Sequence, residues 1–250
     1  MNKEEILLQK RFVELSQSAF QKNRVHFTDF LNLNDLQILY SVPKQSLYTP
    51  FRLFGGYPLA ERKRAAFFTE KEDDVLFPIA AIRVSPLKKT FAEEMTHRDY
   101  LGALLNVGIE RQKTGDILVE EKEAIFFIEE ALSSFVCESL TRVHHTSVKA
   151  EVILPEEFSY TPRYEIVKGS VASVRLDSLL ALAFGFSRSS AVEYIENGKT
   201  FVNGKRIVSN AYPVKEEDII SVRGVGRFSF QGIGGQSKKK RDFVELWKYV

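Results

Sequence analysis

Residues 175–207 read RLDSLLALAFGFSRSSAVEYIENGKTFVNGKRI, and this stretch decides how the C-terminal third of the 250-residue chain folds. Leu176, Leu179, Leu180 and Ala183 recur at helical spacing and predict a short amphipathic helix, which Phe184, Gly185 and Phe186 end. Ser187 stands where an N-cap belongs, its hydroxyl placed to accept from a free backbone N–H of a second helix carrying Ala191, Val192 and Ile195 on its apolar face. Gly198 closes that helix as a left-handed residue. Two short runs, 200–202 and 205–208, flank Asn203-Gly204, the pair best suited to a type I′ turn because both residues tolerate positive φ. In such a hairpin Val202 faces Lys205 and Thr200 faces Ile207 on one side, so Phe201 and Arg206 share the other.

The cations of this unit fall at its junctions. Arg175, Arg188, Lys199, Lys205 and Arg206 occupy helix starts, the turn after a helix and the hairpin, where long side chains reach outward while the apolar stripes face inward. Arg188 opens a helix, where unpaired N–H groups and the dipole favour an anion. Phe201 beside Arg206 adds an aromatic next to a cation, a surface suited to RNA. Read from composition alone, five such cations are equally ordinary solubilising charge.

The segment resembles the S4 domain, an RNA-binding module, in its RLD opening, the S-R-x-x-A at its second helix and I-x-x-G-x-x-x-V-N-G through the turn. The resemblance implies that the second helix and the hairpin form the RNA-contacting face, which places Ser187, Arg188, Lys199, Lys205 and Arg206 on it. Thr200 departs from the more usual valine.

Charge supports the same end of the chain. From Gly169 onward there are 13 Lys+Arg against 8 Asp+Glu, whereas residues 1–168 carry 22 against 25, within a net charge of +2. A neutral-to-acidic body with a basic end suggests one face that meets polyanion. Lys238-Lys239-Lys240-Arg241 adds to it, read either as a solvated loop or as a phosphate contact. With 44% apolar and 27% charged residues the chain is a folded protein of two or three domains. Its apolar runs, such as 76–82 and 124–128, are too short for a bilayer span, and Asn2-Lys3-Glu4-Glu5 shows no signal-peptide pattern, so no membrane association and a cytoplasmic location are expected. The single cysteine, Cys137, falls in an apolar helical stripe with Phe135, Val136 and Leu140 and reads as a buried structural thiol.

Ahead of the S4-like unit, residues 1–72 read as a mainly helical domain, with helices over 3–22 and near 28–39. The first carries Ile6, Phe12, Val13 and Phe20. Phe54-Gly55-Gly56-Tyr57-Pro58 leads into Glu61-Arg62-Lys63-Arg64, either a glycine turn before an exposed helical charge cluster or a second RNA-touching patch. Residues 73–155 give strand (76–84), helix (98–107), strand (116–120), strand (124–128), helix (129–143) and strand (148–154). That β-α-β-β-α-β order is the ferredoxin-like arrangement of RRM domains, in which two helices cover one face of a four-stranded sheet. The third strand, Ala124-Ile125-Phe126-Phe127-Ile128, lacks the Gly-Phe-Gly-Phe style motif whose aromatics stack on bases, so RRM-type base reading is not expected. Phe126 or Phe127 could stack on a base, but one must be core, and both are if another domain covers the sheet. Residues 156–172 read as a linker and 173–250 as the S4 domain, with strands at 218–223 and 227–230, a flexible tip at 232–235 and a last strand or short helix at 243–250. The whole is an α+β multidomain chain.

Beyond its end, the chain resembles the YlmH-type family of bacterial S4-domain proteins, carried by FGGYPLAERKRAAF (54–67), THRDYLGALLNVGIERQKTGDI (96–117) and the S4 unit. The resemblance implies an N-terminal helical domain, an RRM-like middle domain and a C-terminal S4 domain. It also implies action on the ribosome, since related small S4 proteins bind stalled large subunits carrying peptidyl-tRNA. The expected function is therefore non-catalytic binding of rRNA and tRNA on the large ribosomal subunit in ribosome-associated quality control, by a monomer without cofactor, metal or small-molecule substrate.

The catalytic readings are weaker. Arg175-Leu176-Asp177 superficially resembles a pseudouridine-synthase motif, but Val174, Leu180 and Leu182 stand where Gly, Thr and Gly are needed, and Asp177 is better used opening a helix. Gly224-Val225-Gly226 precedes no helix and makes no cofactor loop. The signatures of a tyrosyl-tRNA synthetase are absent. His97-Arg98-Asp99 lacks the partners of a kinase loop and reads as a helix start, and His144-His145 lack ligands at zinc spacing. An RNA-modifying activity around Arg98, Asp99, Arg111 and Asp116, or a protein-binding adaptor for ribosome or cell-division factors, are the alternatives.

Overall fold

The computed structural model describes residues 3–69, 75–154, 158, 160 and 163–249. Residues 1–159 form one compact unit and residues 160–250 a second.

The first unit begins with helix α1 (Lys3–Lys22), which buries Phe12, Leu15, Ser16 and Ala19. Ile6 and Phe20 of the same helix are 42% and 58% exposed. Helix α2 spans Leu33–Ser41 and starts later than expected. The Asn32 side chain accepts from Asp35 N–H at 3.1 Å while the Asp35 carboxylate accepts from Asn32 N–H at 3.0 Å, a reciprocal cap that fixes the start. Thr28 is thereby left outside the helix, exchanging hydrogen bonds with Ala65. The expectation of a mainly helical segment missed a three-stranded antiparallel sheet in the order β1 (His26–Phe27), β3 (Arg64–Phe67), β2 (Phe51–Phe54). Arg64-Ala65-Ala66-Phe67 consists largely of good helix formers, but its burial on both sides overrides that preference.

The Glu61–Arg64 cluster is therefore not an exposed helical patch. Arg64 is 5% exposed and donates to the Thr28 and Pro78 carbonyls at 2.8 and 3.0 Å. Arg62 donates to the carbonyls of Thr114 and Phe30 at 3.0 and 2.9 Å. Burial pushes both guanidinium pKa values down, partly offset by Asp116 beside Arg62 and Glu129 beside Arg64. Both arginines hold backbone carbonyls.

The middle segment follows the expected order with one addition: β4 (Ile79–Pro86), α3 (His97–Asn106), β5 (Thr114–Glu120), β6 (Glu123–Glu129), α4 (Ser133–Ser139), β7 (Arg142–Val143) and β8 (Thr146–Ile153). The antiparallel sheet runs β5-β6-β4-β8-β7, the ferredoxin-like order with β7 added at one edge. The helix expected over 129–143 shrinks to seven residues, because β6 continues to Glu129 and His144, at φ 51°, turns the chain into a β7–β8 hairpin. Cys137 is half-buried beside the core residues Val136 and Leu140, and burial raises its pKa, as a structural thiol requires; Phe135 of the same stripe is 47% exposed.

The sheet face away from the helices is occupied where an RRM would read bases. Phe126 is core, and Phe127 is 1% exposed, stacked on Tyr57 at 5.0 Å and 20° and met edge-on by Phe158. Gly56 makes this approach: it adopts φ +103°, and a Cβ there would lie 2.2 Å from the Phe127 ring. Asp116 locks the loop by accepting from Tyr57 Oη, Glu61 N–H and Arg62 N–H at 2.9, 2.7 and 3.0 Å.

In the second unit, Tyr164–Val171 forms strand β9, which corrects the linker expected over 156–172. Glu165, Lys168 and Gly169 hide the strand in the sequence. Gly169 faces the helices, where the Leu182 side chain fills the place a Cβ would take. Then come α5 (Leu176–Phe184), α6 (Arg188–Glu196), β10 (Thr200–Val202), β11 (Lys205–Arg206), β12 (Ile219–Val222), β13 (Gly226–Gln236) and β14 (Asp242–Tyr249). The antiparallel sheet runs β11-β10-β12-β13-β14-β9. The expected flexible tip at 232–235 is instead part of β13, which bends through register shifts near Gly232 and Gly235. One face of this sheet joins Leu179, Leu180, Ala183, Ala191 and Ile195 of the helices to Ile220, Phe228, Phe230 and Leu246 in a single core.

Candidate nucleic-acid interface

The local signals of the S4-like unit are realised residue by residue. Gly185 ends α5 in the left-handed region at φ 66°. Ser187 caps α6 by accepting from Ser190 N–H at 3.1 Å. Asn203 and Gly204 take φ 48° and 77°, the type I′ turn, and pair Phe201 with Arg206 and Val202 with Lys205. The Asn203 side chain also donates to Asp218 at 2.7 Å and accepts from Ile219 N–H at 2.9 Å, tying the turn to β12.

The cations sort into three places. Around the start of α6, the Arg188 side chain is 77% exposed and Nη2 lies 3.9 Å from the buried carboxylate of Asp177. Arg175 binds the same carboxylate and is 36% exposed, so its charge is already shared. Asp177 does open a helix, accepting from Ser178 N–H at 2.9 Å, but its main partner is this arginine.

At the other end of α6, roughly 13 Å along the axis, Lys199, Lys205 and Arg206 are exposed together. The Arg206 side chain lies over Gly198, and Lys199 Nζ is 5.6 Å from the Tyr194 ring, itself stacked on Phe186 at 5.0 Å and 5°. Sequence reasoning missed Arg223 here. Its N–H donates to the Lys199 carbonyl at 2.9 Å and its guanidinium sits 5.9 Å from the Phe201 ring. Its place beside Gly224, at the turn after a predicted strand, is the signal that marks it.

Lys238, Lys239 and Lys240 occupy the exposed turn between β13 and β14, where Ser237 N–H donates to Arg241 O at 2.8 Å and Arg241 Nη2 to the Ser170 carbonyl at 2.6 Å. Phe228, on the hairpin's row of the sheet, precedes Gln236 by eight residues of β13, so the lysines stand roughly 25 Å from that row. They are separate from the α6–hairpin cluster.

The four residues of the enzymatic alternative do not share a site. Arg98 and Asp99 line an open groove of about 480 Å³ with Arg142 and His144, whereas Arg111 and Asp116 do not. Asp99 accepts from Thr96 N–H and Oγ1 at 2.7 and 2.8 Å, which caps α3 and holds its carboxyl below the usual range. Arg111 donates to the Thr114 and Gly115 carbonyls at 2.8 and 2.9 Å, and burial pushes its pKa down to about 10. His144 Nδ1 meets Glu93 Oε2 at 2.7 Å. Among the described residues no group of three or more His, Cys, Asp or Glu is placed to hold a metal ion, and no helix is long and apolar enough to cross a membrane.

A capped helix pair, a type I′ hairpin and exposed cations at both ends of α6, following a ferredoxin-like segment, define an S4-domain RNA-binding protein. Comparison with known proteins agrees: the family described as S4 domain matches residues 174–220, and that described as "Putative RNA-binding domain in YlmH" matches residues 71–157. The chain is 34% identical over 226 residues to "Ribosome-associated protein quality control protein P2" of Bacillus subtilis (strain 168), covering 88% of this chain and 86% of that protein. It therefore belongs to the YlmH-type family of bacterial S4-domain proteins. The fold is also that of a solved structure, "Cell division protein ylmH from Streptococcus pneumoniae", with TM-score 0.52 at 19% identity over 63% of this chain and 95% of that one.

Proposed function

We infer that this protein binds structured rRNA and tRNA on the large ribosomal subunit, without catalysis, as a factor in ribosome-associated quality control. The observation that carries the reading is the α6–hairpin face: Arg188 is presented at a helix N-terminus with its side chain 77% exposed, and Lys199, Lys205, Arg206 and Arg223 are gathered at the other end. Each is anchored by its stem or backbone and exposes its charge, an arrangement that suits the phosphates of a shaped RNA. The deep, narrow major groove of A-form RNA resists side-chain reading, so shape and phosphate contact carry affinity. Support for the ribosomal setting comes from the name of the Bacillus subtilis relative. The reading implies a cytoplasmic protein.

The test is sedimentation of cell lysate at low and high salt. Co-migration with large subunits at low salt and release at high salt is the expected result. Migration at the top of the gradient under both conditions overturns the ribosomal reading.

A further inference from the structure

The six-stranded sheet of residues 160–250 has a second face, turned away from α5 and α6, that the α6–hairpin reading touches only at its hairpin edge. Across it the register sets Arg206 beside Phe201, Phe201 beside Ser221 and Ser221 beside Arg227. The Arg227 guanidinium then lies 4.3 Å from the Tyr249 ring, and Tyr249 pairs with Tyr164. The next row sets Ser229 beside Trp247 and Trp247 beside Ile166, which is 57% exposed. Trp247 is 5.1 Å from Tyr164, and its indole N–H donates to Glu245 at 2.8 Å; that carboxylate is balanced by Lys168 at 2.9 Å. Arg223 closes the near edge over Phe201.

We propose that this face, formed by Phe201, Trp247, Tyr249 and Tyr164 with Arg206, Arg223 and Arg227, is a second RNA site that takes an unpaired strand by stacking. Every base has a π face, so half-exposed aromatic rings on a rigid sheet bind single strands with little sequence preference, and interleaved arginines hold the phosphates. Same-face residues recur roughly every 7 Å along a strand, about the span of one extended nucleotide. Charge complementarity favours RNA over a protein partner: three arginines stand among the rings, and Ser221 and Gln231 interrupt the apolar surface a protein would need. Arg206 and Arg223 stand at the edge this site shares with the α6–hairpin cluster, while Arg227, Tyr249, Tyr164 and Trp247 belong to it alone.

The chain carries its own probe, because Trp247 is its single tryptophan. The full chain is titrated with an unpaired oligouridylate and, separately, with a blunt RNA duplex, following indole emission. Saturable quenching by the unpaired strand, weakened about tenfold by Tyr249→Leu and also weakened by Arg223→Ala, is the expected result. Arg223 is exposed, so its replacement does not disturb the sheet, and Tyr249 lies outside the α6–hairpin cluster, so its variant reads this face alone. Arg188→Ala with Lys205→Ala leaves this quenching in place while lowering duplex binding, which separates failure of this site from failure of the α6–hairpin reading. Absence of quenching, or quenching unchanged in both folded sheet-face variants, overturns the proposal. So does a change in Trp247 emission produced by a ribosomal protein and by no RNA.

Discussion

The Arg175 guanidinium donates through Nε and Nη2 to the two carboxylate oxygens of Asp177, at 3.1 and 2.8 Å, across a helix start only two residues away. Asp177 is 1% exposed, so this forked contact is what makes its burial tolerable, and Arg188 approaches the same carboxylate from the start of the next helix. One buried acid thus joins the openings of both S4 helices. Asp177→Ala is expected to lower stability by about 2 kcal/mol, the scale for lost hydrogen bonds between charged groups. A urea unfolding midpoint checks it, and an unchanged midpoint means the contact is dispensable.

The same contact ranks the cations. If about five phosphates are neutralised, affinity for structured RNA falls with salt at a log-log slope of about −3 to −5. Arg188→Ala is expected to reduce the slope by about 0.8, and Arg175→Ala by less, because Asp177 already shares its charge. Filter binding at four salt concentrations reads both, and equal effects refute the ranking.

The lysine turn makes a separate prediction. Lys238, Lys239 and Lys240 stand far along β13 from the hairpin row. Replacing all three with alanine is expected to weaken a long ribosomal RNA fragment while sparing a short stem-loop that occupies α6 and the hairpin. Equal weakening of both ligands contradicts this separation.

Thr200 is fully buried and its hydroxyl has no hydrogen-bond partner among the described residues. Thr200→Val keeps the shape and removes the stranded polar group, so it is expected to raise stability by about 1 kcal/mol with RNA affinity unchanged. Thermal unfolding decides it; a lower melting temperature shows that the hydroxyl is satisfied in solution.

Gly56→Ala combines a left-handed backbone with a collision against the Phe127 ring. The expected cost is more than about 1 kcal/mol, read as earlier unfolding of the first unit.

What was legible in the sequence was local. Ser187, Gly185, Gly198 and Asn203-Gly204 act through neighbours within a few residues, so both helices, the turn and its register are written in the local sequence. What was hidden depended on distant partners. Arg64-Ala65-Ala66-Phe67 becomes a strand only because β1 and β2 flank it, and Arg62 and Arg64 become structural only because carbonyls from Thr28, Phe30, Pro78 and Thr114 converge on them. Tyr164–Val171 looked like a linker because its charges mask an alternation that only β14 completes. Missing β9 also hid the aromatic sheet face, since Tyr164 and Trp247 meet only through that pairing. Arg223 is hidden for the same reason: its aromatic neighbour Phe201 lies on another strand.

The central claim is that the α6–hairpin face holds ribosomal RNA. Crosslinking and sequencing of RNA bound to the wild-type chain and to an Arg188→Ala, Lys205→Ala variant, both expressed in cells, tests it most directly. The account predicts crosslinks to rRNA and tRNA for the wild type and their loss in a variant that still melts at the wild-type temperature. An unchanged crosslink map in that folded variant would contradict it.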